Sequence, residues 1–147
     1  MGLFDNLFKE KSSDKMSTKQ EAFLGILLAV ATADGHLADE EASEVFRPVV
    51  RMRLFEDTSR DDIQSYVTKI IKIIKKEGSE AVIDKCVPAL PKELHAAVFA
   101  HACEVILADG VVETEEKAIL EKLQKKLELS VAEAKDIVRV IMIKYRG

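Results

Sequence analysis

The sequence predicts an all-α protein, a bundle of seven helices in which one helical unit occurs twice around two buried central helices. The composition favours this class, since hydrophobic residues make up 48% and charged residues 33% of the chain, against six Gly and three Pro. Apolar residues recur at helical spacing rather than in the alternation typical of strands. A short acidic motif also appears twice, at Asp34 and at Asp109, which indicates an internal duplication.

Capping residues and apolar stripes place the helices. Thr18 followed by Glu21 predicts a helix start, and residues 22–33 are apolar nearly all round, as expected of a buried central helix. The second central helix runs from Pro91 to Asp109 and has the same apolar character. The other helices are predicted over residues 79–87 and after the N-cap residues Asp39, Ser59, Thr114 and Ser130.

The length and charge of the chain limit its organisation and its partners. With 147 residues the chain suits one domain, and we expect an amphipathic segment and linker over residues 1–16 before a helical domain over residues 17–147. A net charge of −4 gives no overall attraction to phosphate backbones, so no nucleic-acid partner is expected. The two cysteines form no CxxC pair, and neither a signal segment nor a membrane-spanning apolar run is present. These features predict a cytoplasmic protein.

The first eight residues have an apolar face of their own. One side of a short helix would carry Leu3, Phe4, Leu7 and Phe8. The polar stretch that follows, residues 9–17, is typical of a linker. Such a segment is suited to a membrane surface or to the groove of a partner protein, and packing on the domain or disorder is equally compatible with it.

Both predicted central helices end in the same acidic motif. Ala33-Asp34-Gly35 is followed by Glu40-Glu41, and Ala108-Asp109-Gly110 is followed by Glu115-Glu116. The duplication predicts two helical hairpins related by a pseudo-twofold axis. Helix capping explains most of the motif, because glycine supplies a left-handed helix end and the glutamates favour the positive end of the next helix.

Capping does not explain the two aspartates, because an acid in the last turn of a helix faces the negative end of the helix dipole, at a cost of about 0.3–1 kcal/mol. Each motif matches the second half of an EF-hand loop but lacks the carboxylates of its first half, so neither is an EF-hand. Two such loops brought together would offer enough oxygen atoms for a hard cation such as Ca²⁺, Mg²⁺ or Mn²⁺. The predicted metal ligands are Asp34, Glu40, Glu41, Asp109, Glu115 and Glu116.

These two motifs resemble those of the TerB-like tellurite-resistance family, in which a helix-ending Ala/Ser-Asp-Gly precedes a Glu-Glu-Lys helix start. The resemblance covers about residues 18–145, and the opening Met1-Gly2-Leu3-Phe4-Asp5 is also similar to the start of such proteins. It implies an all-helical, pseudo-symmetric fold and a role in tellurite and broader chemical stress resistance. It also implies metal binding through the acidic residues, and action beside other resistance proteins, including membrane-associated ones.

Histidine and cysteine residues offer two further sites. His95, His101 and Cys103 lie on one predicted helix, but their spacing does not bring them to one face, so zinc would need ligands from elsewhere in the chain. His101 and Glu104 are one turn apart and are suited to an acid–base pair, although such a pair more often satisfies polar groups in a core. We therefore expect no enzymatic activity.

An interaction scaffold without a metal is the alternative function. It predicts an exposed apolar patch on the folded domain and acidic residues that act only as helix caps. A stripe of lysines on the helix after Ser59 is interpreted as a solvated face, which is also suited to an acidic partner. It consists of Lys69, Lys72, Lys75 and Lys76.

Overall fold

The computed structural model describes residues 18–33, 47–107, 112 and 114–146, and these residues form helices and turns without a strand. The α-helices are α1 (Lys19–Ala31), α2 (Arg60–Glu77), α3 (Ser79–Cys86), α4 (His95–Leu107), α5 (Thr114–Lys126) and α6 (Val131–Lys144). Short 3₁₀ helices lie at Val49–Arg51, Arg53–Phe55, Val87–Ala89 and Lys92–Leu94. The predicted all-helical class is confirmed for this part of the chain. Residues 1–16 and most of the helix predicted after Asp39 lie outside the described residues.

Local capping interactions start three of the helices where the sequence predicts them. The Thr18 hydroxyl accepts a hydrogen bond from the Glu21 amide at 3.0 Å, and the Ser130 hydroxyl caps α6 in the same way. Ser59 and Asp62 form a reciprocal capping box at the start of α2. At Pro91 the prediction is wrong, because its extended ψ of 144° places Pro91 before the helical turn and not within it. A 3₁₀ turn follows instead, and α4 begins at His95.

Helix α1 is the centre of the fold. Every residue from Glu21 to Val30 is buried, and the helix packs against α2, α3 and α4. The prediction of a buried central helix is confirmed for α1. Helix α4 is less enclosed than predicted, since its fully buried side faces α1 while Glu104 and Val105 stay partly exposed. The pseudo-twofold relation between the two halves stays a prediction, because the helix predicted after α1 lies largely outside the described residues.

One member of the lysine stripe does not lie on a solvated face. The Lys69 ammonium is 3.1 Å from the Glu21 carboxylate, whose side chain is only 4% exposed. This ion pair joins α2 to the first turn of α1, so the interpretation of the stripe as a solvated surface is wrong at Lys69. Among the described helices, none combines the length and the apolar character that are needed to cross a lipid bilayer.

Candidate functional site

Most of the predicted cation site falls outside the described residues. This applies to Asp34, Glu40, Glu41 and Asp109. The other two predicted ligands, Glu115 and Glu116, lie in the first turn of α5, where Glu115 is exposed and Glu116 is half-buried. There they face the positive end of the α5 dipole, which is the role that helix capping alone would give them.

The described residues show how the helix ends next to the two acidic motifs are arranged. The Sγ atom of Cys86 lies against Gly25, and the hydroxyl groups of Thr32 and Ser79 are 3.0 Å apart. Later residues of α1 therefore meet earlier residues of α3, and the two helices are antiparallel. The end of α1, which leads into the first motif, lies beside the start of α3.

Ion pairs relate α3 to α5 in the opposite sense. The Lys122 ammonium is 3.0 Å from the Glu80 carboxylate, and Lys126 pairs with Asp84 one turn further along both helices. The hydrogen bond and charge of Lys122 hold the pKa of Glu80 below its usual value. Helices α3 and α5 are therefore parallel, so the end of α1 and the start of α5 point toward the same end of the bundle.

The histidines and cysteines of the described residues do not form a metal centre. No group of three or more His, Cys, Asp or Glu side chains within this part of the chain is placed to hold a metal ion. The ring nitrogens Nδ1 and Nε2 of His95 lie 3.0 Å and 3.1 Å from the carbonyl oxygens of Leu127 and Leu90. His95 therefore bridges the end of α5 to the turn before α4. No pattern in the sequence points to this role, because both partners are main-chain atoms and Leu127 is 32 residues away along the chain.

The side chains of His101 and Glu104 lie beside each other, as their spacing predicts, and a third side chain joins them. The Nδ1 atom of His101 is 3.8 Å from the Glu104 carboxylate, which also forms an ion pair with Lys144 of α6. Burial is the main cause that lowers the pKa of His101, and the Glu104 charge opposes it. The hydrogen bond to Glu104 raises the pKa of Lys144. The ion pair connects α6 to α4, and the charge of the Glu104 carboxylate is neutralised by Lys144.

Both thiols are predicted to be inert in the folded protein. Cys86 and Cys103 are fully buried, and burial raises the pKa of the Cys103 thiol to about 12 and raises that of Cys86 as well. Since only the thiolate is nucleophilic, we expect no reaction with Ellman's reagent at pH 8 in buffer and release of two equivalents in denaturant. Rapid reaction of either thiol in buffer would contradict the buried positions.

A groove between α5 and α6 is the main feature that sequence reasoning missed. Its volume is about 650 Å³, within the range of about 300–1,000 Å³ typical of ligand pockets. Its apolar lining is formed by Phe99, Leu120, Val131, Ala134, Val138 and Met142. The apolar side chains of α6 exceed what one buried face needs, and this excess was the available indication in the sequence.

The rim of this groove is cationic although the chain as a whole is anionic. Four basic side chains and one acidic side chain line it, namely Lys117, Lys135, Arg139, Arg146 and Glu121. The net charge of the chain is −4. The groove therefore combines an apolar floor with a basic edge, which suits an apolar ligand or segment that carries negative charge.

No protein-family model, no curated protein and no solved structure matches this chain.

Proposed function

We propose that the chain is a TerB-like module of tellurite and chemical stress resistance that works in the cytoplasm without catalysing a reaction. In this proposal the two acidic motifs together bind a divalent cation, with Ca²⁺, Mg²⁺ and Mn²⁺ as the candidates. The observation that supports it is the common direction of the two described helix ends that lie next to the motifs in the chain. The end of α1 beside Ser79 and the first turn of α5 point to the same end of the bundle.

Distances along the helices are compatible with this pooling. Lys122, which pairs with Glu80 near the start of α3, is roughly two turns or about 10 Å from Glu115 along α5. A hard cation takes about six to eight oxygen ligands, more than one motif supplies. Pooling the motifs would give the aspartate of each copy a role as a cation ligand, which helix capping does not supply.

The test is an NMR titration of the full chain with Ca²⁺, Mg²⁺ and Mn²⁺ in turn. We expect saturable shifts, or broadening with Mn²⁺, at the amides of Gly35 and Gly110. The Asp34→Asn/Asp109→Asn double variant should lose the response. The Asp136→Asn variant is the matched control, because the side chain of Asp136 is 72% exposed on α6, and it should keep the response. Silence at millimolar metal would contradict cation binding and leave the acidic residues as helix caps.

The groove favours a second candidate function, that of an interaction scaffold. Such a module would act on other resistance proteins, membrane-associated ones included, through its apolar groove rather than through a metal. The exposed apolar side chains of α6 that line the groove support it, with Val131 60% and Met142 53% exposed. The Asp34→Asn/Asp109→Asn variant separates the two functions. A scaffold predicts no response to metal in the titration, and it predicts that partner binding is unchanged in this variant.

A further inference from the structure

We propose that the N-terminal segment of the same chain, residues 3–8, docks into the groove between α5 and α6. The groove is described above, and the segment lies outside the described residues. The proposal does not depend on cation binding. It assigns an occupant to the apolar lining, which would otherwise face water on one side of the bundle.

Shape and polarity of the two surfaces correspond. Helical spacing places the four large apolar side chains of the segment on one side, Leu3, Phe4, Leu7 and Phe8. As a helix, the six residues of the segment would be about 9 Å long, whereas the α6 wall of the groove from Val131 to Arg146 rises about 22 Å. A short helix laid between two others with its apolar side down is a common mode of peptide recognition.

Charge favours the same pairing. The rim side chains described above carry three more positive than negative charges. Residues 3–8 carry one charged side chain, Asp5, which is acidic. Asp5 would lie between the basic side chains of the rim, and the next charged residue, Lys9, belongs to the linker.

The linker is long enough to reach the groove. Phe23 lies about 8 Å along α1 from the Thr18 cap, and its ring centroid is 5.7 Å from that of His101. His101 contacts Glu104, which pairs with Lys144 of α6, and Arg146 at the groove end lies just beyond. Residues 9–17 extend up to about 30 Å, which is long compared with the contacts of 5.7 Å and 3.8 Å that lead from Phe23 to Glu104. Tethering also raises the effective concentration of the segment to the millimolar range, so a weak contact suffices.

The test is a paramagnetic relaxation measurement on the full-length chain. A nitroxide is attached to an Asn6→Cys variant, since Asn6 lies on the polar side of the segment. The unsubstituted chain is carried through the same labelling, because its two thiols are buried. We expect loss of amide signal at Leu120 and Val138, recovered after reduction of the nitroxide, and no loss at Ile70 in α2.

Two pairs of variants distinguish groove docking from general association. In the labelled chain, Phe4→Asp/Phe8→Asp should abolish the signal loss at the groove. Met142→Lys should weaken it, because Met142 lines the groove. Val140→Lys is the matched control, since Val140 is equally exposed on α6 but does not line the groove, and it should leave the signal loss unchanged.

Three outcomes would overturn the proposal. One is the absence of signal loss at Leu120 and Val138 in the labelled chain. Another is an equal loss in a mixture of ¹⁵N-labelled chain without nitroxide and nitroxide-labelled chain without ¹⁵N, which would assign the groove to the segment of a second copy. The third is a loss at the groove that Phe4→Asp/Phe8→Asp leaves intact. If the groove signals stay unaffected, sedimentation with phosphatidylcholine–phosphatidylserine vesicles would test the membrane as the alternative site.

Discussion

Replacing Gly25 with alanine is expected to lower the free energy of unfolding by about 1–3 kcal/mol, although alanine is the better helix former by about 1 kcal/mol. Gly25 lies in the buried middle of α1, and a methyl group there would overlap the Sγ atom of Cys86. Its other neighbours, Val82 and Ile70, would be at ordinary contact distances of 3.6 Å and 3.7 Å. One sulfur atom therefore decides the sign of the effect. Urea denaturation monitored by circular dichroism measures it.

A double-mutant cycle isolates that sulfur atom. Cys86→Ala removes the Sγ atom. The loss of stability in Gly25→Ala/Cys86→Ala should therefore be smaller than the sum of the losses in the two single variants, by about 0.5–3 kcal/mol. Cys103→Ala is the matched control, because Cys103 is also a buried thiol but is not among the near neighbours of Gly25. A Gly25→Ala variant as stable as the parent chain would mean that Cys86 rotates away and that α1 and α3 can separate slightly.

The fold class was predictable because its determinants are local. The hydroxyl groups of Thr18, Ser59 and Ser130 accept hydrogen bonds from amides three residues further along. Each of these helix starts therefore depends on residues that are close together in the sequence. Burial of α1 followed from an apolar character on all sides. Less local features were harder to predict. The turn after α5 contains Glu128 with φ of 58°, where a glycine would have been the expected mark of a left-handed residue.

The candidate sites were less predictable because they depend on contacts between distant segments. The sequence identifies the acidic motifs but not the arrangement of the helix ends beside them, which the ion pairs between α3 and α5 help to define. It identifies His101 and Glu104 as neighbours but not Lys144, which neutralises the carboxylate from another helix. The groove is the clearest case. Its residues follow the ordinary helical pattern, and their exposure depends on how α5 and α6 pack, which the sequence does not show.

Replacing His95 with alanine is expected to destabilise the protein by about 2–5 kcal/mol. The His95 side chain is buried, and its ring fills the space between the carbonyl oxygens of Leu90 and Leu127. A neutral ring donates a hydrogen bond to one of these oxygens and an imidazolium to both. Truncation therefore opens a cavity and also removes a donor from buried main-chain acceptors. Urea denaturation and hydrogen exchange at the Leu129 amide measure the global and the local effect.

A volume-matched variant separates the two contributions to the His95 effect. His95→Phe keeps most of the ring volume but donates no hydrogen bond, so its loss of stability should be about 1–3 kcal/mol, the cost of leaving a buried acceptor without a donor. The remainder of the alanine effect is then the cost of the cavity. If phenylalanine proved as stable as histidine, the ring would act through packing alone. The turn at Glu128 would then be held by the hydrogen bond from the Leu129 amide to the Gln124 carbonyl and by the hydrophobic contacts of Leu127.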